Sequence, residues 1–187
     1  MADEKDGKLE FRKLEASEID IRVAQINEKG CQLLLYKDAR CDMCILDETV
    51  GALNWQRRHN RDNANCVVSI YNPSLNTWVE KEDTGTESNT EADKGLASDS
   101  FKRACVNWGI GRELYTAPFI WIPAEKVEIK QNRSGKPMTY DKFEVQKIAY
   151  DDKRNIIGLA IRNAKNKKLV FLWQKENPNG DHSGKDR

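Results

Sequence analysis

One segment of this sequence, from Thr90 to Gly111, constrains the fold more than any other. Thr90 and Asp93 stand three residues apart, which is the spacing of a capping box with aspartate in place of the usual glutamate. The apolar residues that follow recur at the spacing of a helix that buries one face. They are Leu96, Ala97, Phe101, Ala104, Cys105 and Trp108. Gly109 and Gly111 come next, as glycine commonly does at helix C-termini. We therefore predict a helix from Thr90 to Trp108.

A second helical pattern lies between Asp38 and Leu53. Its apolar residues fall on two opposite faces. The first face comprises Ala39, Met43, Leu46, Val50 and Leu53, and the second comprises Cys41, Cys44 and Ile45. A helix that is apolar on two sides is usually buried on two sides, and in a small domain this predicts burial against a neighbouring subunit.

The other regular segments have the apolar alternation and the turn residues of β-strands. The predicted strands lie at 19–23, 31–36, 55–59, 66–71, 77–83, 143–149, 156–162 and 169–173. The first two form a hairpin around the turn Asn27 to Gly30, and the next three form an antiparallel meander. The sequence therefore predicts an α+β fold, in which an antiparallel sheet made of the hairpin and the meander packs on helices, with extra C-terminal strands.

The predicted domain boundaries follow from these elements. Residues 1–16 are expected to be a flexible N-terminus, and the alternative for its beginning is a first short helix around Leu9 to Leu14. Residues 17–122 are expected to form a core domain, and residues 123–174 a β extension. The polar residues 175–187 are expected to be a disordered tail.

The composition of the chain argues against several classes of protein. The chain has 187 residues, with 31 Lys+Arg against 30 Asp+Glu, so its formal net charge of +1 argues against a protein that coats nucleic acid by being basic all over. A local basic groove remains compatible with this balance. The start of the chain is hydrophilic and no apolar run reaches the ~20 residues that a membrane span needs. The five cysteines are few and odd in number, which favours a reducing compartment, and we expect a soluble cytoplasmic protein.

The motifs of several enzyme classes are missing from the sequence. It has neither a phosphate-binding loop nor a dinucleotide fingerprint. His59 and His182 are its only histidines, which leaves few members for a catalytic triad or a metal centre. Cys41 and Cys44 have the spacing of half a zinc site, but no second half completes it. We expect no catalytic residue, no metal and no cofactor, and therefore a protein that is not an enzyme.

Two adjacent cationic residues of the predicted helix are the main indication of its function. Lys102 and Arg103 lie opposite the apolar stripe, next to Asp99 and Val106 on a helical wheel. They follow a strand that carries Arg57 and Arg58, and together these side chains would form a local positive surface. The alternative interpretation is that Lys102 and Arg103 are ordinary solvated charges.

The segment from Ser98 to Gly109 resembles the signature helix of the Rad fifty-two/Rad twenty-two family, which are single-strand annealing proteins of double-strand break repair. The family pattern is roughly [Thr/Ser]-Asp-x-[Leu/Phe]-Lys-Arg-Ala-x-x-x-[Phe/Trp]-Gly, and the segment fits it throughout. The upstream order of elements, from the strand that bears Ile19 to Arg22, also fits. The resemblance covers about residues 17–122. It is closest to the short versions that bacteriophages and prophages encode, whose Glu-Ser-Asn-Thr lead-in and Trp-Gly-Ile-Gly-Arg-x-Leu-Tyr ending recur at 87–90 and 108–115.

This resemblance implies a function and a set of DNA-binding residues. It implies a subunit of a ring that binds single-stranded DNA in a groove and anneals complementary strands without ATP during homologous recombination. By position, Arg22, Lys102 and Arg103 match the family's phosphate contacts. A further family arginine falls at Val106 here, so that contact is missing or is supplied by another residue. The candidates for it are Arg57, Arg58 and Arg112. The family's second DNA site has no good match in this sequence.

The expected partners are single-stranded DNA and further copies of the chain, in a ring or a filament. A single-strand-binding protein and an exonuclease are two further partners to consider, in a bacterial cell that carries the phage or prophage. Two alternatives stay open. The chain could be a small non-enzymatic adaptor of the replication and recombination machinery, or a nuclease, which the lack of metal-ligand clusters weakens.

Overall fold

The computed structural model of the protein describes residues 9–86 and 92–176. Within these residues the fold is α+β, with two α-helices and antiparallel sheets, as predicted. The helices are α1 (Ala39–Val50) and α2 (Ala92–Trp108). The strands are β1 (Ile19–Asn27), β2 (Gly30–Lys37), β3 (Trp55–Asn60), β4 (Asn65–Asn72), β5 (Thr77–Thr84), β6 (Ile120–Pro123), β7 (Lys130–Gln131), β8 (Pro137–Met138), β9 (Phe143–Tyr150), β10 (Ile156–Asn163) and β11 (Leu169–Gln174). No described helix is long and apolar enough to cross a membrane.

The chain divides into two compact units, each made of two segments. The first unit comprises Met1–Asp20 and Leu35–Thr116, and the second comprises Ile21–Leu34 and Ala117–Arg187. This division differs from the predicted boundaries at 16, 122 and 174. The reason is that β2 pairs with β6, with Cys31 opposite Ile122, so most of the hairpin joins the C-terminal part of the chain.

The first unit is built on the predicted meander. Its strand order is β3-β4-β5, and both pairs are antiparallel, with Trp55 opposite Ile70 and Tyr71 opposite Trp78. Helix α2 packs against β4 and β5. The predicted apolar stripe is confirmed over the described part of α2, because four of its members are buried and the other two are half-buried. The buried members are Leu96, Phe101, Ala104 and Cys105, and the half-buried ones are Ala97 and Trp108. The predicted cap at Thr90 lies outside the described residues.

Helix α1 is shorter and more one-sided than predicted. The carboxylate of Asp38 caps its start by accepting from the backbone N–H of Arg40, and Gly51, at φ +85°, ends it. Leu53 therefore lies beyond the helix and is 92% exposed. The buried residues are Asp42, Ile45 and Leu46, while Cys44 is exposed. Within the described structure this helix buries one face, and its predicted burial on two sides depends on an assembly.

The N-terminal segment is packed where the structure describes it. Phe11 and Leu14 are each 2% exposed, and the backbone N–H of Leu14 donates to the Glu113 carboxylate at 2.7 Å. Residues 9–15 have no regular secondary structure, and a single 3-10 turn follows at Ala16–Glu18. The predicted short helix and flexible N-terminus therefore do not describe residues 9–16.

The second unit contains the predicted C-terminal strands and two elements that the sequence did not reveal. Strands β9, β10 and β11 form one antiparallel sheet in the order β11-β10-β9. The first addition is β6, which completes the sheet β1-β2-β6. The second is a small hairpin of β7 and β8, in which Lys130 pairs with Met138. The predicted hairpin and meander thus belong to separate sheets.

Candidate nucleic-acid interface

A buried ion pair lies beneath helix α2 in the first unit. The Lys37 ammonium is 2.5 Å and 2.6 Å from the two carboxylate oxygens of Asp42, and it also donates to the Lys102 carbonyl at 3.3 Å. The two side chains are 4% and 0% exposed. Burial raises the pKa of the Asp42 carboxyl to about 6, although Lys37 opposes the rise. The Lys37 ammonium contacts both carboxylate oxygens, and the pair connects β2, α1 and α2. Sequence reasoning missed this pair, because nothing in the spacing of Lys37 and Asp42 distinguishes it from surface charges.

The two glycines of the Trp-Gly-Ile-Gly segment are needed for different structural reasons. Gly109 has φ +104°, and its N–H donates to the Val106 carbonyl, while the Ile110 N–H donates to the Cys105 carbonyl. These two bonds form a Schellman motif that ends α2. Gly111 has φ +70°, and a Cβ there would lie 2.3 Å from Cε of Lys37. The second glycine therefore makes room for the buried lysine.

Lys102 and Arg103 lie on the side of α2 opposite its buried stripe, as predicted. Lys102 is half-buried and Arg103 is exposed. The Nε atom of Arg103 is 3.3 Å from the carboxylate of Asp83 on β5. Lys102 adds to the lowering of the pKa of Asp38, the residue that caps α1, after the larger effect of Arg40. Acidic groups therefore flank both cations, and this surface is less positive than the sequence suggests.

Arg112 follows the end of α2, and its side chain reaches back to the last turn of that helix. Its guanidinium donates to the Val106 carbonyl at 2.9 Å and 3.2 Å, and to the Asn107 carbonyl at 3.0 Å. Lys81, which sequence reasoning missed, donates to the same Asn107 carbonyl at 2.8 Å and lies 4.6 Å from the centre of the Trp108 ring. Both cations satisfy carbonyls at the negative end of the helix dipole. Val106 itself is half-buried.

Arg57 and Arg58 point to opposite faces of the meander, because successive side chains alternate along a strand. Arg57 faces α2, and its guanidinium carbon lies 4.7 Å from the centre of the buried Phe101 ring. Arg58 lies on the other face, where it is 3.9 Å from the Glu80 carboxylate. The structure therefore separates these two candidates. A patch on α2 can include Arg57 and excludes Arg58.

Arg22 belongs to the second unit, whereas the other five predicted DNA contacts belong to the first. It lies near the start of β1 and is exposed. It alternates with the half-buried Ile21 and Val23, as the strand pattern predicts.

His59 and Ser100 lie close together in the first unit. Their Nδ1 and Oγ atoms are 3.4 Å apart, and Ser100 donates instead to the backbone carbonyl of Asn63 at 3.0 Å. Burial, and after it the neighbouring Arg57, lower the pKa of His59 and so favour its neutral ring. His59 therefore adds little positive charge to the surface.

The Cys41 and Cys44 thiols do not belong to a metal-ligand cluster. Within residues 9–86 and 92–176, no three His, Cys, Asp or Glu side chains are grouped as a metal site would require. Burial raises the pKa of the Cys41 thiol to about 12, and Glu18 and Asp42 add to the rise, which disfavours the thiolate that binds metals.

Comparison with known proteins adds no relative to these observations. No family model matches the chain, and neither a curated protein nor a solved structure is detectably similar to it.

Proposed function

We propose that this protein binds single-stranded DNA and anneals complementary strands without ATP, as a homo-oligomeric ring or filament in recombination and break repair. One observation carries the proposal. Packing accounts for most residues of the Ser98 to Gly109 segment, yet it requires neither the Lys102 side chain nor the Arg103 side chain. A cationic pair on the side of the helix away from the core, within a motif that resembles that of an annealing family, is best explained by a ligand.

The chemistry of such a surface is electrostatic. Cations that neutralise phosphates release counterions from the strand, and this release supplies affinity for any base sequence. If the bases remain unpaired and accessible, a complementary strand can sample registers and pair. Annealing then needs no covalent step and no nucleotide. Arg112, at the end of α2, and Arg57, over Phe101, are two cations of the first unit that can extend the surface.

The test compares the wild-type chain with Lys102→Ala/Arg103→Ala. Binding of a fluorescein-labelled 30-nucleotide oligo-dT is measured by anisotropy at several NaCl concentrations, and annealing is measured by the quenching of two complementary labelled strands. The double variant should lower affinity for all sequences and reduce the salt slope by roughly 0.7 for each phosphate that is no longer neutralised. Its annealing rate should fall in parallel.

Two further variants sharpen this experiment. Lys29→Ala/Lys153→Ala removes the same charge from exposed lysines elsewhere and should leave binding close to the wild-type value. Asp83→Asn removes the anion beside Arg103 while keeping an oxygen for Asn107, so it should strengthen binding and steepen the salt slope. Unchanged affinity and salt slope in both Lys102→Ala/Arg103→Ala and Asp83→Asn would refute the proposed surface and favour the adaptor alternative.

A further inference from the structure

The β7–β8 hairpin of the second unit concentrates positive charge in a nearly neutral chain. The segment from Ile129 to Tyr140 contains Lys130, Arg133 and Lys136 and no acidic residue, whereas the whole chain has a net charge of +1. All three cations are exposed. The proposed surface on α2 does not include them.

The loop at the tip of this hairpin has a defined structure. The side-chain oxygen of Asn132 accepts from the backbone N–H groups of Ser134 at 3.0 Å and of Lys136 at 2.9 Å. The Asn132 N–H donates in turn to the Lys136 carbonyl at 2.9 Å, and Gly135 takes φ +77°. These bonds set the conformation of the loop and keep Arg133 at its tip. Binding of a ligand therefore requires little further ordering of the loop and costs little conformational entropy.

One of the cations lies beside an exposed aromatic ring. Lys130 pairs with Met138 across the hairpin, and Lys136 precedes β8 on the opposite arm of the loop. Tyr140 stands two residues after Met138, and its ring centre lies 5.9 Å from the Lys130 ammonium, so these two side chains lie on the same side of the hairpin. Tyr140 is 70% exposed.

Little of this charge is neutralised within the protein. Lys130 forms an ion pair with Glu128 at 3.1 Å, and both side chains are at least half exposed, so this pair exchanges partners at small cost. Among the residues that the structure describes, Arg133 and Lys136 form no ion pair.

We propose that the β7–β8 hairpin is a binding site for single-stranded nucleic acid, in which Lys130, Arg133 and Lys136 contact phosphates and Tyr140 stacks on a base. Cations beside an aromatic platform are the combination that binds single strands without sequence preference. A duplex fits less well, because its bases are already stacked and offer no face to Tyr140. The proposal does not depend on the α2 surface, since every residue in it belongs to the second unit.

The test uses the full chain and the same labelled 30-nucleotide oligo-dT. Arg133→Ala/Lys136→Ala should reduce the salt slope by roughly 0.7 for each phosphate that the two side chains neutralise in the wild type. Tyr140→Ala should weaken binding by about 5-fold to 150-fold, and Tyr140→Phe, which keeps the ring, should restore most of it. Lys29→Ala/Lys153→Ala is again the matched control for charge.

An abasic oligonucleotide of equal length separates stacking from charge. It retains the phosphates and lacks the bases, so wild type and Tyr140→Ala should bind it equally. A persistent difference on the abasic strand would overturn the stacking role. Polyglutamate of equal charge should displace the oligonucleotide poorly, and equal displacement would overturn the nucleic-acid site in favour of an acidic protein partner.

These variants distinguish failure of the hairpin proposal from failure of the proposed surface on α2. If Lys102→Ala/Arg103→Ala loses binding while all hairpin variants bind normally, the hairpin proposal is wrong and the proposed function stands. If the hairpin variants alone lose binding, the α2 surface is wrong and the hairpin proposal stands.

Discussion

Gly111 shows how a single residue of the motif serves the buried ion pair. Its φ of +70° disfavours any side chain, and a Cβ would also lie 2.3 Å from Cε of Lys37. We expect Gly111→Ala to lower the free energy of unfolding by about 2 kcal/mol or more, since strain of the left-handed backbone and overpacking both contribute. Urea denaturation measures the change.

Gly109→Ala is the matched control for this experiment. Gly109 also has positive φ, but a Cβ there would meet no atom within 4 Å. Gly109→Ala should therefore cost only the backbone strain, about 1 kcal/mol. If the two variants lose equal stability, the close approach of Gly111 to Lys37 is unimportant and the predicted role of Gly111 is wrong.

The pair of Arg12 and Glu18 gives the first unit a pH-dependent contact. Two guanidinium nitrogens of Arg12 lie 2.7 Å from the Glu18 carboxylate, and these hydrogen bonds lower the pKa of Glu18 below its ordinary value of 4.5. The folded state therefore favours the ionised form. Its contribution to stability is present above pH 4.5 and is lost as the pH falls through the lowered pKa.

This sign predicts how Glu18→Gln changes acid unfolding. The variant should be less stable than wild type at pH 7, and the difference should shrink as the pH falls below about 4.5, the unshifted value. Urea denaturation at several pH values measures it. In a protein that also carries Arg12→Gln, Glu18→Gln should change the free energy of unfolding less, because the carboxylate then has no guanidinium beside it. A difference between wild type and Glu18→Gln that stays constant from pH 7 to pH 3 would contradict the prediction.

At the scale of the element, the open face of α2 tests whether DNA or another subunit covers it. Val106 is half-buried and lies one turn beyond Lys102. If the face binds DNA, Val106→Arg adds a phosphate contact, so single-strand affinity should rise and the salt slope should steepen by roughly 0.7. If the face is a subunit interface, the same change buries an unpaired charge and should break the oligomer.

Val106→Gln is the control, because it adds a long polar side chain without charge. It should leave the salt slope unchanged in the first case and weaken the oligomer less than Val106→Arg in the second. Light scattering and salt-dependent anisotropy on both variants separate the two cases. A Val106→Arg protein that stays assembled and binds no better would show that this turn lies outside the DNA path.

At the scale of the whole molecule, the proposed annealing activity requires an assembly. We expect a particle much larger than the 21.5 kDa chain, and light scattering at micromolar concentration should detect it with or without DNA. The exposed Leu53 and the exposed side of α1 at Cys44 are surfaces of the first unit that a neighbouring copy can cover. A monomer under both conditions would refute the assembly.

Local pattern was enough to predict most elements of this fold. The spacing of apolar residues, the turn residues and the glycines that end a helix predict α2, the meander β3-β4-β5 and the three C-terminal strands. The structure confirms each of these elements to within a few residues. These features act between neighbours along the chain, so the sequence contains them directly. Strand β6 was missed because four residues are too few to show a period.

The sequence by itself determined which side of α2 is buried and therefore where Lys102 and Arg103 lie. Only the tertiary structure decided what surrounds them. The Asp83 carboxylate beside Arg103, the opposite directions of Arg57 and Arg58, and the Lys37–Asp42 pair all depend on strand pairing and helix packing. The physical reason is that the residue type alone sets the charge of a side chain. Its partner depends on contacts between residues that are far apart in the chain.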